Sequence, residues 1–309
     1  MSLHVVIGAG PVGSATAQLL AARGDDVRLL TRSGSGPEHP RIARIPVDAT
    51  DAAALAVHCA EATAIHQCAG LPYTRWATGF PPLIHAAISA AEASGAVLLT
   101  VGNLYGYGEF EGPVDESHPL RPNSVKGRVR AELWNEALSA HEKGRIRTAE
   151  VRGSDYLGAG ANSTFTAVVL PAVAAGKVAL FPGDPDVPHS WTAVEDVART
   201  LVALADDEST WGRAWHVPTA APISVRALAE LTATLAGAPP ARVRRMPSAL
   251  LWAAGLFNAD AREIRELRYQ FDRPFVLNSS AAAEKLGIEP TPTRLALEAT
   301  LRARTDDCD

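Results

Sequence analysis

Three glycines near the start of the sequence have the spacing of a phosphate-binding turn. Gly8, Gly10 and Gly13 form a G-x-G-x-x-G pattern between an apolar segment at 3–7, typical of a strand, and a helical pattern at 12–22. The first glycine permits a tight turn, the second lets the backbone approach phosphates, and the third lets helix and strand pack closely. Free N–H groups at the helix start would hold the anion. The pattern predicts a dinucleotide site with contacts at Gly8, Gly10, Pro11, Val12 and Gly13.

The residues after the second predicted strand indicate which dinucleotide is bound. A site for NAD has an Asp or Glu there, which accepts hydrogen bonds from the ribose 2′-hydroxyl. The segment 27–31 is instead followed by Arg32 and Ser33. A guanidinium can pair with a 2′-phosphate and stack on adenine. We therefore expect NADP(H) rather than NAD(H); the alternative is that Arg32 is a solvated surface residue.

Strand and helix patterns alternate through the first half of the chain. Strands are predicted at 3–7, 27–31, 42–46, 64–68, 96–101 and 147–151, and helices at 12–22, 52–59, 81–94 and 125–143. Strands that are separated by helices pair in parallel through right-handed crossovers. The predicted fold class is therefore α/β, a doubly wound parallel sheet of the Rossmann type.

The second half of the chain is less regular and predicts a smaller lobe. Helices are predicted at 164–175, 192–204, 224–236, 247–257 and 261–269, and strands at 177–181 and 213–217. We expect a dinucleotide-binding core of residues 1–155, to which 190–217 returns, and a substrate-binding lobe of residues 156–189 and 218–309. Ligands of open α/β sheets bind at the carboxyl edge of the strands, where this lobe would lie.

The composition excludes several function classes. Of 309 residues 47% are hydrophobic, and the net charge of −5 is spread without a basic or acidic block. We therefore expect neither a nucleic-acid nor a membrane partner, and the lack of signal-peptide and membrane-span patterns predicts a cytoplasmic protein. The histidines and three cysteines lack metal-ligand spacing, and the sequence contains no hydrolase elbow and no triphosphatase loop.

Further segments along nearly the whole chain carry a family resemblance. They are VDATD at 47–51, IHQCAG at 65–70, LYG at 104–106 followed by Asp115-Glu116, VRGSDYLG at 151–158, HSWTAVEDVA at 189–198 and LGIEPT at 286–291. With the glycine turn, they resemble the extended and atypical short-chain dehydrogenase/reductases, often described as NAD-dependent epimerases/dehydratases. The resemblance implies that Asp48 contacts adenine and that Ala69 and Gly70 lie beneath the cofactor.

The sequence departs from this family at its catalytic pair. The family uses Tyr-x-x-x-Lys on the helix after the fifth strand, where Tyr exchanges a proton and Lys binds the nicotinamide ribose. The aligned positions here hold Lys126 and Arg130, and Val101-Gly102-Asn103 stands where the family has Ser or Thr. The i, i+4 spacing keeps both cations on one helix face, where they suit ribose hydroxyls or phosphates, or form a solvated surface. Both stay candidate catalytic residues, and Lys126 also a cofactor contact, although neither supplies a phenol.

Two tyrosines in the loop after the fifth predicted strand are candidate replacements for that phenol. Tyr105 and Tyr107 flank Gly106 at the edge where nicotinamide would lie. The family's tyrosine at the position of Tyr105 is usually structural, so we expect Tyr107 to be catalytic. Tyr105 and Asn103 are then candidate substrate contacts.

Four residues farther along the chain are further candidate substrate contacts. Asp155 and Tyr156 follow the sixth predicted strand, and His189 and Trp191 would line the mouth of the substrate pocket. The structural alternatives are a turn acid for Asp155 and packing roles for the aromatic side chains.

These residues favour an NADP(H)-dependent oxidoreductase that acts on a small carbonyl-like molecule. The cofactor would carry the hydride chemistry, and Tyr107, Lys126 or water would handle the proton. Two alternatives stay open: an epimerase or dehydratase that recycles its cofactor, and a non-catalytic NADP(H)-binding sensor, which loss of the catalytic pair would suit. The resemblance also implies a homodimer through the predicted helices 81–94 and 125–143.

Overall fold

A computed structural model describes residues 2–257 and 259–306, and a seven-stranded parallel sheet forms its centre. The strands are β1 (Leu3–Ile7), β2 (Asp26–Thr31), β3 (Ile42–Pro46), β4 (Ala64–Gln67), β5 (Val97–Asn103), β6 (Arg147–Gly153), β7 (Asp155–Leu157), β8 (Val178–Phe181), β9 (Pro188–His189), β10 (Trp191–Ala193), β11 (Ala214–His216), β12 (Ile223–Ser224) and β13 (Arg242–Arg245). The central sheet has the order β11-β6-β5-β4-β1-β2-β3, and every neighbouring pair is parallel. The predicted doubly wound fold is therefore confirmed.

Helices cover both faces of this sheet. They are α1 (Pro11–Arg23), α2 (Ala52–Cys59), α3 (Trp76–Ser94), α4 (Val125–Glu142), α5 (Leu170–Ala174), α6 (Val194–Asp206), α7 (Val225–Leu235), α8 (Ser248–Phe257), α9 (Ala259–Glu266), α10 (Ser280–Leu286) and α11 (Thr293–Asp306). On β1, Val5 and Ile7 pack in one core with α2 and α3, whereas Val6 packs with α1 on the opposite face. This double burial explains why β1 is apolar at nearly every position. In the described residues, no helix is long and apolar enough to cross a membrane.

Three predicted helices begin or are built differently. The helix predicted from 81 begins at Trp76, because Trp76 and Phe80 are buried on one face, and Pro81 and Pro82 lie inside it. The predicted helix 192–204 begins at Val194, since 191–193 pairs with β7. The predicted helix 164–175 consists of a π-helical turn, Phe165–Val169, followed by α5.

A separate apolar core lies among the later elements. Its buried side chains include Leu157, Phe165, Phe181, Leu228 and Phe271. Three two-stranded pairs surround it, β10–β7, β12–β9 and β13–β8. The boundaries predicted for a substrate-binding lobe stay a proposal.

Candidate active site

A cavity of about 1080 Å³ runs along the carboxyl edge of the central sheet. Residues at or just beyond the ends of β1 to β6 line it, because parallel strands all end at this edge. The predicted site residues in its wall are Gly8, Gly10, Pro11, Val12, Arg32, Ser33, Asp48, Ala69, Gly70, Asn103, Tyr105, Arg130, Asp155 and Tyr156. The predicted residues outside the wall are Gly13, Tyr107, Lys126, His189 and Trp191.

The glycine turn forms the middle of the cavity. Gly8 has φ +95°, and a Cβ there would lie 2.6 Å from the Cα of Ala69. A Cβ on Gly13 would lie 1.9 Å from the carbonyl oxygen of Gly8, so any larger residue would push α1 away from β1. Gly10 faces open space, and no side chain caps the N-terminus of α1 there. The N–H groups at the start of α1 are therefore available to an anion in the cavity.

Polar side chains line the cavity beyond the ends of β2 and β3. Arg32 is exposed there, and the hydroxyl groups of Ser33 and Ser35 lie 2.8 Å apart. Asp48 accepts hydrogen bonds from the backbone N–H and the hydroxyl of Thr50, and these bonds, with a smaller effect of Arg32, lower the pKa of Asp48. One guanidinium and two hydroxyls make this end suited to a phosphate.

Two tyrosines meet at the opposite end of the cavity. The hydroxyl oxygens of Tyr73 and Tyr105 are 2.8 Å apart, and both residues line the wall. Burial raises the pKa of Tyr73 to about 12 and raises the pKa of Tyr105 well above its usual value. Both phenols are therefore protonated at neutral pH, so one proton of the pair is left for a ligand oxygen.

Sequence reasoning missed Tyr73. It belongs to a 3-10 turn, Tyr73–Arg75, that leads from β4 into α3. Tyr73 follows the end of β4 by six residues, and a loop that leaves a parallel strand starts at the carboxyl edge of the sheet. Its position in the sequence could therefore have placed it near the site.

Arg130 lies in the wall beside these tyrosines. Its Nη1 donates to the carbonyl oxygen of Val101 at 3.0 Å, and its guanidinium lies over the rings of Trp76 and Phe80. Burial lowers the pKa of Arg130. Its Nε is buried and has no hydrogen-bond partner among the described residues. A guanidinium held in this way can orient a ligand but cannot exchange protons near neutral pH.

Lys126, at the position aligned with the family's tyrosine, is enclosed by carboxylates. Its side chain is 2% exposed, and its Nζ donates to Glu266 at 2.6 Å and to Glu263. Glu266 also accepts from the backbone N–H groups of Val125 and Lys126. Both acids belong to α9, so this ion pair and cap tie α9 to the start of α4. The predicted catalytic and cofactor roles of Lys126 stay predictions.

Tyr107 belongs to a buried network behind the cavity wall. Its hydroxyl accepts from Nη1 of Arg152 at 2.7 Å and lies 2.8 Å from Nε2 of His216. Because Nδ1 of His216 donates to the carbonyl oxygen of Asn278, we assign Nε2 as the acceptor from Tyr107. Nε of Arg152 in turn donates to Glu150 at 2.6 Å. The catalytic role predicted for Tyr107 is untested by this arrangement.

Asp155 is a half-buried acid in the cavity wall near the two tyrosines. Nε2 of His189 lies 2.7 Å from its Oδ2, and the imidazole packs between Trp191 and Phe275. Among the described residues, no donor lies within hydrogen-bond distance of Oδ1. Trp191 itself donates to the carbonyl oxygen of Ile223. Asp155 therefore lines the cavity as predicted. His189 and Trp191, which were predicted to line the mouth of the pocket, instead pack behind its wall.

The remaining two predicted contacts line the same end. Oδ1 of Asn103 accepts from the backbone N–H of Tyr105 at 3.1 Å, which fixes the start of the tyrosine-bearing turn. The hydroxyl of Tyr156 lies 3.5 Å from the carbonyl oxygen of Gly102, and burial raises the pKa of Tyr156.

Comparisons with known proteins agree with this fold. The first of three similar solved structures is a UDP-glucuronic acid 4-epimerase from Bacillus cereus in complex with NAD, with TM-score 0.81 and 15% identity over 99% of this chain and 100% of that chain. Another is the epimerase Mth375 from Methanothermobacter thermautotrophicus, with TM-score 0.82 and 18% identity over 99% and 93%. The third is MoeE5 in complex with UDP-glucose and NAD, with TM-score 0.78 and 21% identity over 99% of both chains.

At these identities the structural likeness establishes the fold alone. No curated protein matches the chain. A family model, however, matches residues 4–217, which include the glycine turn, the end of β2, α4 and Asp155. The chain belongs to the NAD dependent epimerase/dehydratase family.

Proposed function

We propose that this protein binds a nicotinamide dinucleotide along the cavity and performs hydride transfer of the epimerase/dehydratase type on a small molecule with a hydroxyl or carbonyl group. One observation carries the proposal. Arg32, the glycine turn and the Tyr73–Tyr105 pair line a single cavity in that order. A dinucleotide lying along it would place adenosine at Arg32, the pyrophosphate at the glycine turn and nicotinamide at the tyrosines. The earlier expectation of a net oxidoreductase becomes the second candidate, since the family match favours recycling of the cofactor.

The choice of NADP(H) rests on the residues beyond β2. Arg32, Ser33 and Ser35 offer a cation and two hydroxyls where an NAD site has an acid. Two of the solved neighbours named above, the UDP-glucuronic acid 4-epimerase and MoeE5, contain NAD, so preference for the 2′-phosphate would distinguish this chain from them. The open space at Gly10 and the uncapped N-terminus of α1 suit the pyrophosphate of either dinucleotide.

The chain's own residues would handle the proton and orient the substrate. When bound, the dinucleotide supplies the hydride acceptor or donor. During oxidation, Oδ1 of Asp155 accepts the proton of the substrate hydroxyl as hydride leaves the adjoining carbon. His189 holds Oδ2 and so fixes the carboxylate. The Tyr73–Tyr105 pair donates a hydrogen bond to the developing carbonyl oxygen. Return of the hydride to the opposite face of that carbonyl, with the proton passing from Asp155 back to its oxygen, gives the epimer, whereas return to the same face regenerates the substrate.

We assign the substrate to the space between the sheet edge and the proposed lobe of residues 156–189 and 218–309. Gln270 and Phe275 from the lobe reach the wall, as does Ile264 of α9. The first compounds to test are UDP-glucose and UDP-glucuronic acid, because MoeE5 has been solved with each of them. Simple sugars and small aromatic alcohols and carbonyls complete the panel.

The deciding experiment follows product and cofactor together. The purified protein is incubated with each compound and with NADP⁺, NADPH, NAD⁺ or NADH, and absorbance of the reduced cofactor is recorded beside product analysis. Conversion of a compound without net cofactor change supports the proposal. Net consumption of NADPH would transfer support to the oxidoreductase. Tight cofactor binding without conversion of any compound would favour the sensor, and absence of cofactor binding would overturn all three.

A further inference from the structure

The helix α8 presents large apolar side chains to solvent. Leu250 is 47% exposed, Trp252 54%, Leu256 59% and Phe257 93%. The helix sequence, SALLWAAGLF, contains no charged residue. Single exposed apolar residues are ordinary, but four on one short helix form a patch that folding alone does not explain. We call these four side chains the α8 face.

Positive charge lies directly beside the α8 face. Helix α9 packs on α8 so closely that a Cβ on Gly255 would lie 3.4 Å from the Cα of Arg262 and 3.5 Å from the Cδ of Arg265. Both arginines are exposed. Glu263 and Glu266 of the same helix instead turn inward to Lys126. Of the four charged residues at 262, 263, 265 and 266, the two acids therefore face Lys126 and the two arginines face solvent.

We propose that the α8 face, with Arg262 and Arg265, docks the protein on the surface of an anionic lipid bilayer. Trp, Phe and Leu side chains enter the boundary between headgroups and acyl chains, and neighbouring arginines attract anionic lipid headgroups. The overall charge of −5 would oppose such an approach, so the two exposed arginines of α9 are what directs this face to the membrane. The proposal departs from the expectation of no membrane partner and requires no membrane-spanning helix.

A second copy of the chain fits this surface less well. In a two-fold dimer the same patch meets itself, which would place Arg262 and Arg265 near the same arginines of the other copy. The four apolar side chains would bury on the order of 500 Å² per copy, less than the roughly 800 Å² per partner of a stable interface. An anionic bilayer satisfies both the charge and the small apolar area.

Vesicle flotation of the full chain tests the proposal. Vesicles of phosphatidylcholine containing one quarter phosphatidylglycerol should bind the protein, and pure phosphatidylcholine vesicles should bind it at least tenfold less. The double variant L256S/F257S should lose about tenfold or more in binding, and R262E/R265E at least about fivefold per arginine. Val57→Ser is the matched control, because Val57 is 70% exposed on α2, outside the α8 face, and it should bind as the parent does.

Two further measurements keep the result interpretable if a variant folds poorly. Raising the salt to about 0.5 M should release the unaltered protein from anionic vesicles. Light scattering gives its oligomeric state. Absence of binding, equal binding to both vesicle types, or a dimer that Phe257→Ser dissociates would each overturn the proposal. NADPH affinity should be the same in L256S/F257S as in the parent, so this result and the proposed function stand or fall separately.

Discussion

The hydroxyl groups of Tyr73 and Tyr105 lie 2.8 Å apart in the cavity wall, although their residues come from the loops after two different strands. The family's catalytic phenol belongs to a helix, at the position that Lys126 occupies here. A phenol is thus present at the same edge of the sheet but supplied by other elements. We expect this pair, with Asp155, to carry the chemistry that the helix no longer provides.

Replacing Tyr73 by Phe should lower kcat by about 10²-fold to 10³-fold with little change in cofactor affinity, because a hydrogen-bond donor to the developing carbonyl oxygen is lost while the dinucleotide contacts remain. The measurement is steady-state turnover of the first compound converted in the substrate panel, beside NADPH titration. Tyr107→Phe is the control. It should cost roughly 1–3 kcal/mol of unfolding free energy, since Arg152 and His216 lose their buried partner, with kcat nearly unchanged. The reverse pattern would return the catalytic role to Tyr107.

Arg32→Ala should weaken NADPH binding by about tenfold to a hundredfold and change NADH binding little, because one charge-assisted contact is worth roughly 1.5–3 kcal/mol. Isothermal titration of both cofactors measures this. Arg44→Ala serves as the control, since Arg44 is an exposed arginine on β3 whose partner is Glu38. An equal loss for NADH and NADPH would mean that Arg32 does not recognise the 2′-phosphate.

Two glycine variants should separate folding from cofactor binding. Gly10→Ala adds a methyl group to open space, so stability should be retained while the pyrophosphate loses its close approach. Gly13→Ala places a Cβ 1.9 Å from the carbonyl oxygen of Gly8. This substitution should lower the free energy of unfolding by about 1–3 kcal/mol. Urea unfolding with and without NADPH distinguishes the two, and normal NADPH binding by Gly10→Ala would contradict the placement of the phosphates.

Removing a carboxylate from Lys126 should destabilise the protein more than removing the whole ion pair. Glu266→Gln leaves a buried ammonium with one fewer anion and weakens the cap of α4, at a cost of about 3–5 kcal/mol. Adding Lys126→Met to Glu266→Gln should recover part of that stability. A double-mutant cycle in urea gives the coupling energy, and additive losses would argue against the pair.

Acid should destabilise the fold through two buried histidines. Nδ1 of His4 lies 3.1 Å from Nε2 of His66, and burial lowers the pKa of each below its usual 6.5. The folded protein therefore favours the neutral rings. Stability is complete above pH 6.5 and falls as the pH decreases below it, by at most about 1.4 kcal/mol per pH unit for each histidine.

The free energy of unfolding, measured in urea at several pH values from about 8 to about 5, tests this effect. His66→Gln should flatten the dependence, whereas His39→Gln, at an exposed histidine, should leave it unchanged. A slope that is as steep without His66 as with it would assign the acid sensitivity to other groups.

Local patterns were sufficient for much of the fold. The first six strands of the central sheet lie within two residues of their predicted ends. Most are short, mainly apolar runs bounded by turn residues, although β3 and β6 also carry charged side chains. The glycine turn could also be predicted, because the close contacts at Gly8 and Gly13 require glycine at this spacing. What could not be predicted depends on contacts between distant segments. Tyr73 reaches Tyr105 only through the path of its loop, and nothing near Lys126 in sequence announces carboxylates at 263 and 266.

The bond between α9 and α4 also sets an order of events during synthesis. Residues 4–217 match the family model, and a ribosome that has just released them has made the glycine turn, α4 and Lys126. Lys126 then still has no carboxylate from α9, because Glu263 and Glu266 emerge about fifty residues later. At that stage the start of α4 lacks the cap and the ion pair that α9 supplies in the folded protein. A protein shortened to end near residue 217 would lack both glutamates permanently, so its Lys126 would lose the partners that neutralise it in the full chain.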